Sequence, residues 1–401
     1  MKLDTHAIRY LTGEDWRILT AVEIGSKNHE VVPTALISQI SGLRSGSGVN
    51  KCISNLAKVG LIARVKNAKY DGYRLTYGGL DYLALNTFSK RKSVYSVGNQ
   101  IGVGKESDIY VVADETGTQR VLKIHRLGRI SFRTVKANRD YLRNRRSGSW
   151  MYMSRLAALK EYAFMKILHE NGFPVPAPLD QSRHCIVMTL IDAFPLRQIL
   201  TLASPSTLYA KLMKLVLRFA SQGLIHGDFN EFNILVREDT HELVVIDFPQ
   251  MVSVDHANAK DYFERDVKCI KDFFKRRFRY TADDDGPFWS DVRRVGKLDV
   301  LVEASGFSKK QAKELEKYMG EVALLTDNDE AEDAVGDGEG AEDDDADGDG
   351  EEEDEEDEEE EVEEVEEEEE VEEEEEEREE EEEEDGEGEE PEGAIEGAKS
   401  Q

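Results

Sequence analysis

No stretch of this chain limits its fold more than its last 75 residues, where Asp327–Gln401 holds 49 of the 85 acidic residues and only two of the 51 bases. Runs of glutamate repel one another at helical spacing and bury too little apolar surface to fold. A disordered acidic tail is therefore expected over 327–401, and every folded domain must come from residues 1–326. Without the tail the whole-chain charge of -34 becomes a net +13 on the body, a balance that favours phosphate-bearing partners. A body of this length suggests two or three domains of roughly 100–200 residues each. Cys52, Cys185 and Cys269 are scattered and show no CxxC spacing, which argues against a disulfide framework or a zinc site. No run approaches the ~18 apolar residues of a membrane span, so a soluble, intracellular chain without membrane contact is expected.

Residues 1–92 open with three stretches of helical periodicity, "EDWRILTAVEIGSKN", "PTALISQISGL" and "SGVNKCISNLAKVGLI", then two strand-like runs around Asp71-Gly72. Three helices and a hairpin is the order of a winged helix-turn-helix. Its third helix, about Gly48 to Val59, carries only Lys51 and Lys58, while the wing offers Arg64, Lys66, Lys69 and Arg74. Phosphate contact by the wing fits this distribution better than base reading by the helix, and a protein-docking role fits it equally. Residues 93–190 turn to strands, interrupted over 126–149 by a basic stretch read as a mobile, phosphate-attracting loop that starts at Arg126. "SRLAALKEYAFMKILHENG" follows as an amphipathic helix, and 191–326 returns to helices with short strands between them.

Phosphoryl transfer asks a protein to hold phosphates, place a metal and orient the acceptor. Each part has a candidate. In "IGVGKESDIYVV", Gly102, Val103 and Gly104 can bring backbone to phosphates, while Lys105 and Ser107 add a charge and a hydroxyl. Ser107 replaces the last glycine of G-x-G-x-x-G, and Asn99 and Glu106 rule out a Walker A loop. Lys123 stands on the third strand as a phosphate-pairing lysine, with Glu161 on the following helix as its natural partner. "LIHGDFNEFNILV" sets Asp228 and Asn233 five residues apart, the spacing that puts a base and a metal ligand on one loop. "LVVIDF" brings Asp247 to the end of an apolar strand, where a buried carboxylate needs a counter-ion that Mg2+ would supply. His226 reads as a structural hydrogen-bonding residue. Met188 would back an adenine pocket, with backbone groups of Thr189 and Ile191 meeting the base.

The usual arginine between His226 and Asp228 is Gly227, Pro249 follows Asp247-Phe248 in place of glycine, and no A-P-E appears later. Too little chain remains after Phe248 for a full peptide-docking lobe.

"GVGKESDIY", Lys123, Glu161, "HGDFNEFN" and "IDFPQ" together resemble the RIO family of atypical protein kinases, in its winged-helix-bearing subfamily. The resemblance covers about residues 1–300. It implies an α+β chain: an N-terminal winged helix-turn-helix, a trimmed two-lobe kinase-like fold and the tail. It also implies ATP and Mg2+ as cofactors, Asp228 as catalytic residue, and Asn233 with Asp247 as magnesium ligands. An aspartyl phosphate on Asp247, and so ATP hydrolysis, is as compatible with it as serine/threonine phosphorylation. The implied partner is the pre-ribosomal small-subunit particle, with its precursor rRNA and ribosomal proteins. A monomer when free and a cytoplasmic location are expected, with nuclear shuttling left open. Two alternatives stand beside this reading: a small-molecule phosphotransferase of the aminoglycoside or choline kinase type, and a non-enzymatic RNA-binding adaptor.

Overall fold

A computed structural model of the chain describes residues 3–304, apart from 66–71, 128–148, 203 and 238–239, together with 311 and 315. The expected acidic tail, the tip of the wing with Lys66 and Lys69, and the basic stretch beyond Leu127 lie outside the described residues.

The N-terminal part folds as α1 (Gly13–Gly25), β1 (Val32–Pro33), α2 (Thr34–Ser41), α3 (Gly46–Lys58), β2 (Ile62–Arg64) and β3 (Gly72–Leu75). A capping box starts α1. Asp15 donates its backbone N–H to Thr12 Oγ1 at 3.2 Å, and Thr12 returns its own N–H to Asp15 Oδ2 at 2.9 Å. The strands pair antiparallel in the order β1-β3-β2, which completes a winged helix with α3 as its third helix.

A fourth helix, α4 (Tyr77–Lys90), follows, unforeseen in the sequence. Thr76 caps it by accepting from Gly79 N–H at 3.1 Å. Gly79 is needed here because a Cβ would stand 2.1 Å from Leu61 O of the hairpin. One part of α4, Leu80, Tyr82 and Leu83, belongs to the winged-helix core. Another, Ala84, Leu85 and Phe88, packs with Tyr110, Leu122 and Val187 of the next sheet. A helix buried against two bodies has no polar face, and that is why its pattern lacked amphipathic contrast.

The N-lobe is a five-stranded antiparallel sheet in the order β4-β5-β6-β8-β7. It comprises β4 (Ser96–Val103), β5 (Ser107–Ala113), β6 (Gln119–His125), β7 (Pro178–Ser182) and β8 (Cys185–Thr189), with the long helix α5 (Ser149–Glu170) packed on it. The C-lobe contains β9 (Phe194–Pro195), α6 (Pro205–Ser221), β10 (Leu224–Ile225), β11 (Ile234–Val236), β12 (Leu243–Val245), β13 (Val252–Ser253), α7 (Ala259–Phe278) and α8 (Leu298–Ala304). Phe219, Phe229, Phe248, Phe263 and Phe274 form the buried centre of this lobe. Two ladders, β12-β11-β9 and β10-β13, hold the loops between them against α6 and α7.

Arg126 corrects the sequence reading. It opens no mobile loop: it is 1% exposed, with its guanidinium on both oxygens of Asp81 of α4 at 2.8 and 2.6 Å and its Nε 3.3 Å from Asp108 of β5. His184 Nε2 lies 2.8 Å from the same Asp81. Burial alone would raise the Asp81 carboxyl, but the Arg126 charge and the hydrogen bond with His184 hold it below its ordinary range. This cluster joins the winged helix to the N-lobe. Asp81 stands 45 residues from Arg126 and 103 from His184, separations that no local pattern could reveal.

Candidate active site

Lys123 points from β6 into the cleft between the lobes. Its Nζ donates to Glu161 Oε1 at 2.8 Å and to Asp247 Oδ1 at 2.9 Å. Burial would lower the lysine, yet Asp247 and Glu161 raise it well above its usual value. Glu161, also buried, is brought down to about 2, chiefly because Lys123 outweighs the desolvation of its carboxylate. The expected Lys123–Glu161 pair is therefore present. His125 Nε2 comes within 2.9 Å of Glu161 Oε2, but out of hydrogen-bonding alignment.

Asp247 differs from the expectation. Its side chain is 39% exposed and has Lys123 as counter-ion, so it is not a buried charge waiting for a metal. It sits at φ +70°, a left-handed conformation uncommon outside glycine and found where local structure overrides backbone preference.

The loop from Gly227 to Asn233 is held from two sides. Asp228 Oδ1 accepts from Asn230 Nδ2 and Oδ2 from Asn233 Nδ2, both at 2.8 Å. From below, Asp266 of α7 accepts the backbone N–H groups of Gly227 at 2.9 Å and Phe229 at 3.0 Å. Burial pushes Asp266 up to about 7 against those two bonds. Desolvation and the Asp247 charge raise Asp228 as well, and burial together with Asp247 takes Glu106 up to about 7. Glu161, Asp247 and Glu106 thus gather around one lysine, Lys123. His226 is packed among Phe219, Phe229 and Phe248, and burial pushes it down to about 4. Its Nδ1 accepts from Asp228 N–H at 3.3 Å, a structural role as expected.

The missing arginine now has a physical explanation. Gly227 has φ +77°, and a Cβ there would meet Gln250 O at 2.7 Å, so no side chain fits. A guanidinium reaches the same place from α7, where Arg265 donates to the Gly227 carbonyl. Sequence reasoning missed Arg265 and Asp266. The only signal was a carboxylate standing in the apolar stripe Phe263, Val267, Ile270 and Phe274.

The Gly-rich turn closes with Gly104 N–H donating to Ser107 O at 2.7 Å. This places Gly102 and Val103 at the end of β4 and Ser107 at the start of β5, with Lys105 between them. Met188 is buried in the C-lobe core cluster. The N–H of Thr189 is already given to Ala177 O at 3.0 Å, so of the expected backbone groups it is the Thr189 carbonyl and the N–H of Ile191 that could meet a purine edge.

Among the described residues no group of three or more His, Cys, Asp and Glu side chains could cage a metal. That suits magnesium, which takes one or two protein carboxylates and completes its shell with phosphate and water. Half-exposed Asp247 could supply such a carboxylate. Asn233, whose amide nitrogen is spent on Asp228, has its amide oxygen to offer as the second.

The RIO domain model matches residues 108–285, and the Rio2 N-terminal model matches 8–91. The serine/threonine-protein kinase rio2 of Schizosaccharomyces pombe is 62% identical over 324 residues, covering 80% of this chain and 93% of that protein. This chain belongs to the Rio2 kinases of the RIO family. The Saccharomyces cerevisiae serine/threonine-protein kinase RIO2 is 54% identical over 333 residues, 77% of this chain and 78% of its own length. Among solved structures, the Rio2 kinase of Chaetomium thermophilum in a complex with ADP, Mg2+ and phosphoaspartate matches with 63% identity and a TM-score of 0.74. It covers 80% of this chain and 99% of that one.

Proposed function

We propose that the chain is an atypical serine/threonine kinase that uses ATP and Mg2+ and runs chiefly as an ATP-hydrolysing switch on the pre-ribosomal small subunit, in the cytoplasm. The observation that carries the reading is the single Nζ of Lys123 shared between Glu161 and Asp247, beside a loop on which Asp228 is held by Asn230 and Asn233. Lys123, fixed by Glu161, is the group that holds phosphates. Asn233 and Asp247 are the metal ligands, and a magnesium ion, when bound, spreads the charge that develops on the transferring group. Asp228, raised from the usual carboxylate range, is better matched to accept a proton near neutrality. The Asp247 oxygen can attack the γ-phosphorus, breaking its bond to the bridging oxygen so that ADP leaves; attack of water on the acyl phosphate then releases inorganic phosphate and restores the carboxylate. The phosphoaspartate in the Chaetomium relative supports that route. The net +13 of the body supports an RNA-bearing partner.

The test is incubation with γ-labelled ATP and magnesium, following free phosphate and labelled protein for wild type, Asp228→Ala and Asp247→Ala. Phosphate release with a hydroxylamine-sensitive label absent from Asp247→Ala is the expected result. Label on serine or threonine of added ribosomal proteins, with no turnover in their absence, would replace the switch by an ordinary protein kinase.

A further inference from the structure

Phe232 lies on the catalytic loop between Asp228 and Asn233, yet it is 52% exposed. It helps to line a surface groove of about 580 Å³ with Arg197, Glu231, Phe273, Arg276 and Arg277. The one carboxylate of the lining, Glu231, is paired with Arg276 at 2.8 Å, so the groove presents a net positive charge. The guanidinium of Arg197 stands 4.8 Å from the centroid of Phe232. Arg277 is fixed by a 3.1 Å bond from its Nε to Ile199 O. The last turn of α7 continues the charge with exposed Lys275, Arg276 and Arg277, and Arg279 follows. Burial, with Asp284 and Asp285 adding to it, raises Tyr209, and none of the acidic run Asp283–Asp285 lines the groove.

We infer that this groove binds single-stranded RNA, with a base stacked on Phe232 beside Arg197 and the neighbouring phosphates on Arg276 and Arg277. The inference rests on the RNA-bearing partner proposed above and gives it a contact site. Arginines alone would suit any polyanion. The exposed aromatic ring decides for RNA, because stacking of a base covers it, whereas an acidic peptide pairs with the guanidiniums and leaves the ring in water. The groove is also coupled to the chemistry: Arg197 N–H donates to Glu231 O at 3.0 Å, so its occupant touches the loop that carries Asp228.

The experiment uses the full chain and a fluorescein-labelled single-stranded RNA oligonucleotide, read by fluorescence anisotropy across a salt series. Phe232→Ala should weaken binding about tenfold, and Phe232→Trp should keep it. Arg277→Gln should reduce the slope of log K against log salt by roughly 0.7, with thermal melts confirming the fold of each variant. Lys58→Gln, on exposed α3 of the winged helix, should bind as wild type does. Loss of binding in Lys58→Gln with none in the groove variants would move the RNA to the winged helix and overturn the inference. A glutamate-rich peptide that outcompetes the RNA and is insensitive to Phe232→Ala would overturn it too. If wild type binds no RNA at all, the proposed partnership fails with it; if wild type binds and Phe232→Ala and Arg277→Gln leave affinity and salt slope unchanged, the groove alone is refuted.

Discussion

Replacing Arg126 by Met should destabilise the protein by about 3–5 kcal/mol, the usual effect of leaving one half of a buried ion pair behind. Asp81 would lose both of its bonds to the guanidinium, at 2.8 and 2.6 Å, and keep only His184 at 2.8 Å. Asp108 would keep Gln100 at 3.2 Å and lose the contact at 3.3 Å. Both carboxylates are at most 2% exposed, so water cannot take the place of the arginine. Removing both ends, in Asp81→Leu/Arg126→Met, leaves no orphaned charge at that pair and should recover roughly 2–3 kcal/mol relative to the sum of the single changes. Urea unfolding followed by tryptophan fluorescence measures the cycle, since Trp150 stacks on Tyr77 beside Arg126, with ring centroids 3.5 Å apart. A loss below ~1 kcal/mol for Arg126→Met, or strict additivity in the cycle, would refute the claim that this cluster joins the winged helix to the N-lobe.

Three further outcomes follow from the site. Gly227→Arg, which restores the residue of ordinary kinases, meets Gln250 O at a left-handed backbone position; ATP turnover should fall by about two orders of magnitude in a phosphate-release assay, and wild-type turnover would contradict this. Glu161 has a folded value of about 2 against an ordinary 4.5, so its stabilisation is complete above about 4.5 and is lost as pH falls from there toward 2. Urea titrations of Glu161→Gln should therefore show a flatter decline over that acid window than wild type, offset by a lower stability at neutral pH. His226, brought from 6.5 to about 4 by burial, favours the folded state fully above about 6.5 and loses that contribution as pH falls toward 4. His226→Phe should flatten that limb of the stability curve, and an unchanged limb would mean that the ring titrates alike in the folded and unfolded states.

How much of this was legible from the sequence depends on the distance over which each interaction acts. Lys123, Glu161, Asp228, Asn233 and Asp247 were readable because phosphoryl transfer fixes their chemical types and their chain order, and the first two do meet at 2.8 Å. The winged helix was readable from periodicity and from turn residues. Helix α4 was not, because burial against two bodies erases the amphipathic contrast that marks a surface helix. Arg126 was misread for the opposite reason: it begins a run of bases in sequence, while its counter-charges Asp81 and Asp108 come from other elements. Asp266 and Arg265 act through backbone groups of a loop 37 to 39 residues away, and a bond to backbone imposes no residue type on its partner.

The departures from the ordinary kinase pattern are linked to one another. A left-handed Gly227 lets the loop run close to Gln250, and that approach excludes an arginine side chain there. Arg265 then supplies the guanidinium from α7 and, with the two backbone bonds to Asp266, holds the loop from below. This support comes from a helix of the folded core. Asp247 has no such freedom. Its φ of +70° carries strain for a non-glycine residue, and its carboxylate shares Lys123 with Glu161. Phosphates that enter the cleft must compete with Asp247 for that lysine. Since Glu161 is buried at 1% exposure and Asp247 is 39% exposed, the bond to Asp247 is the weaker of the two and the one to yield. On the proposed reading, the exchange that binds nucleotide would free a carboxylate oxygen of Asp247 for attack on the γ-phosphate.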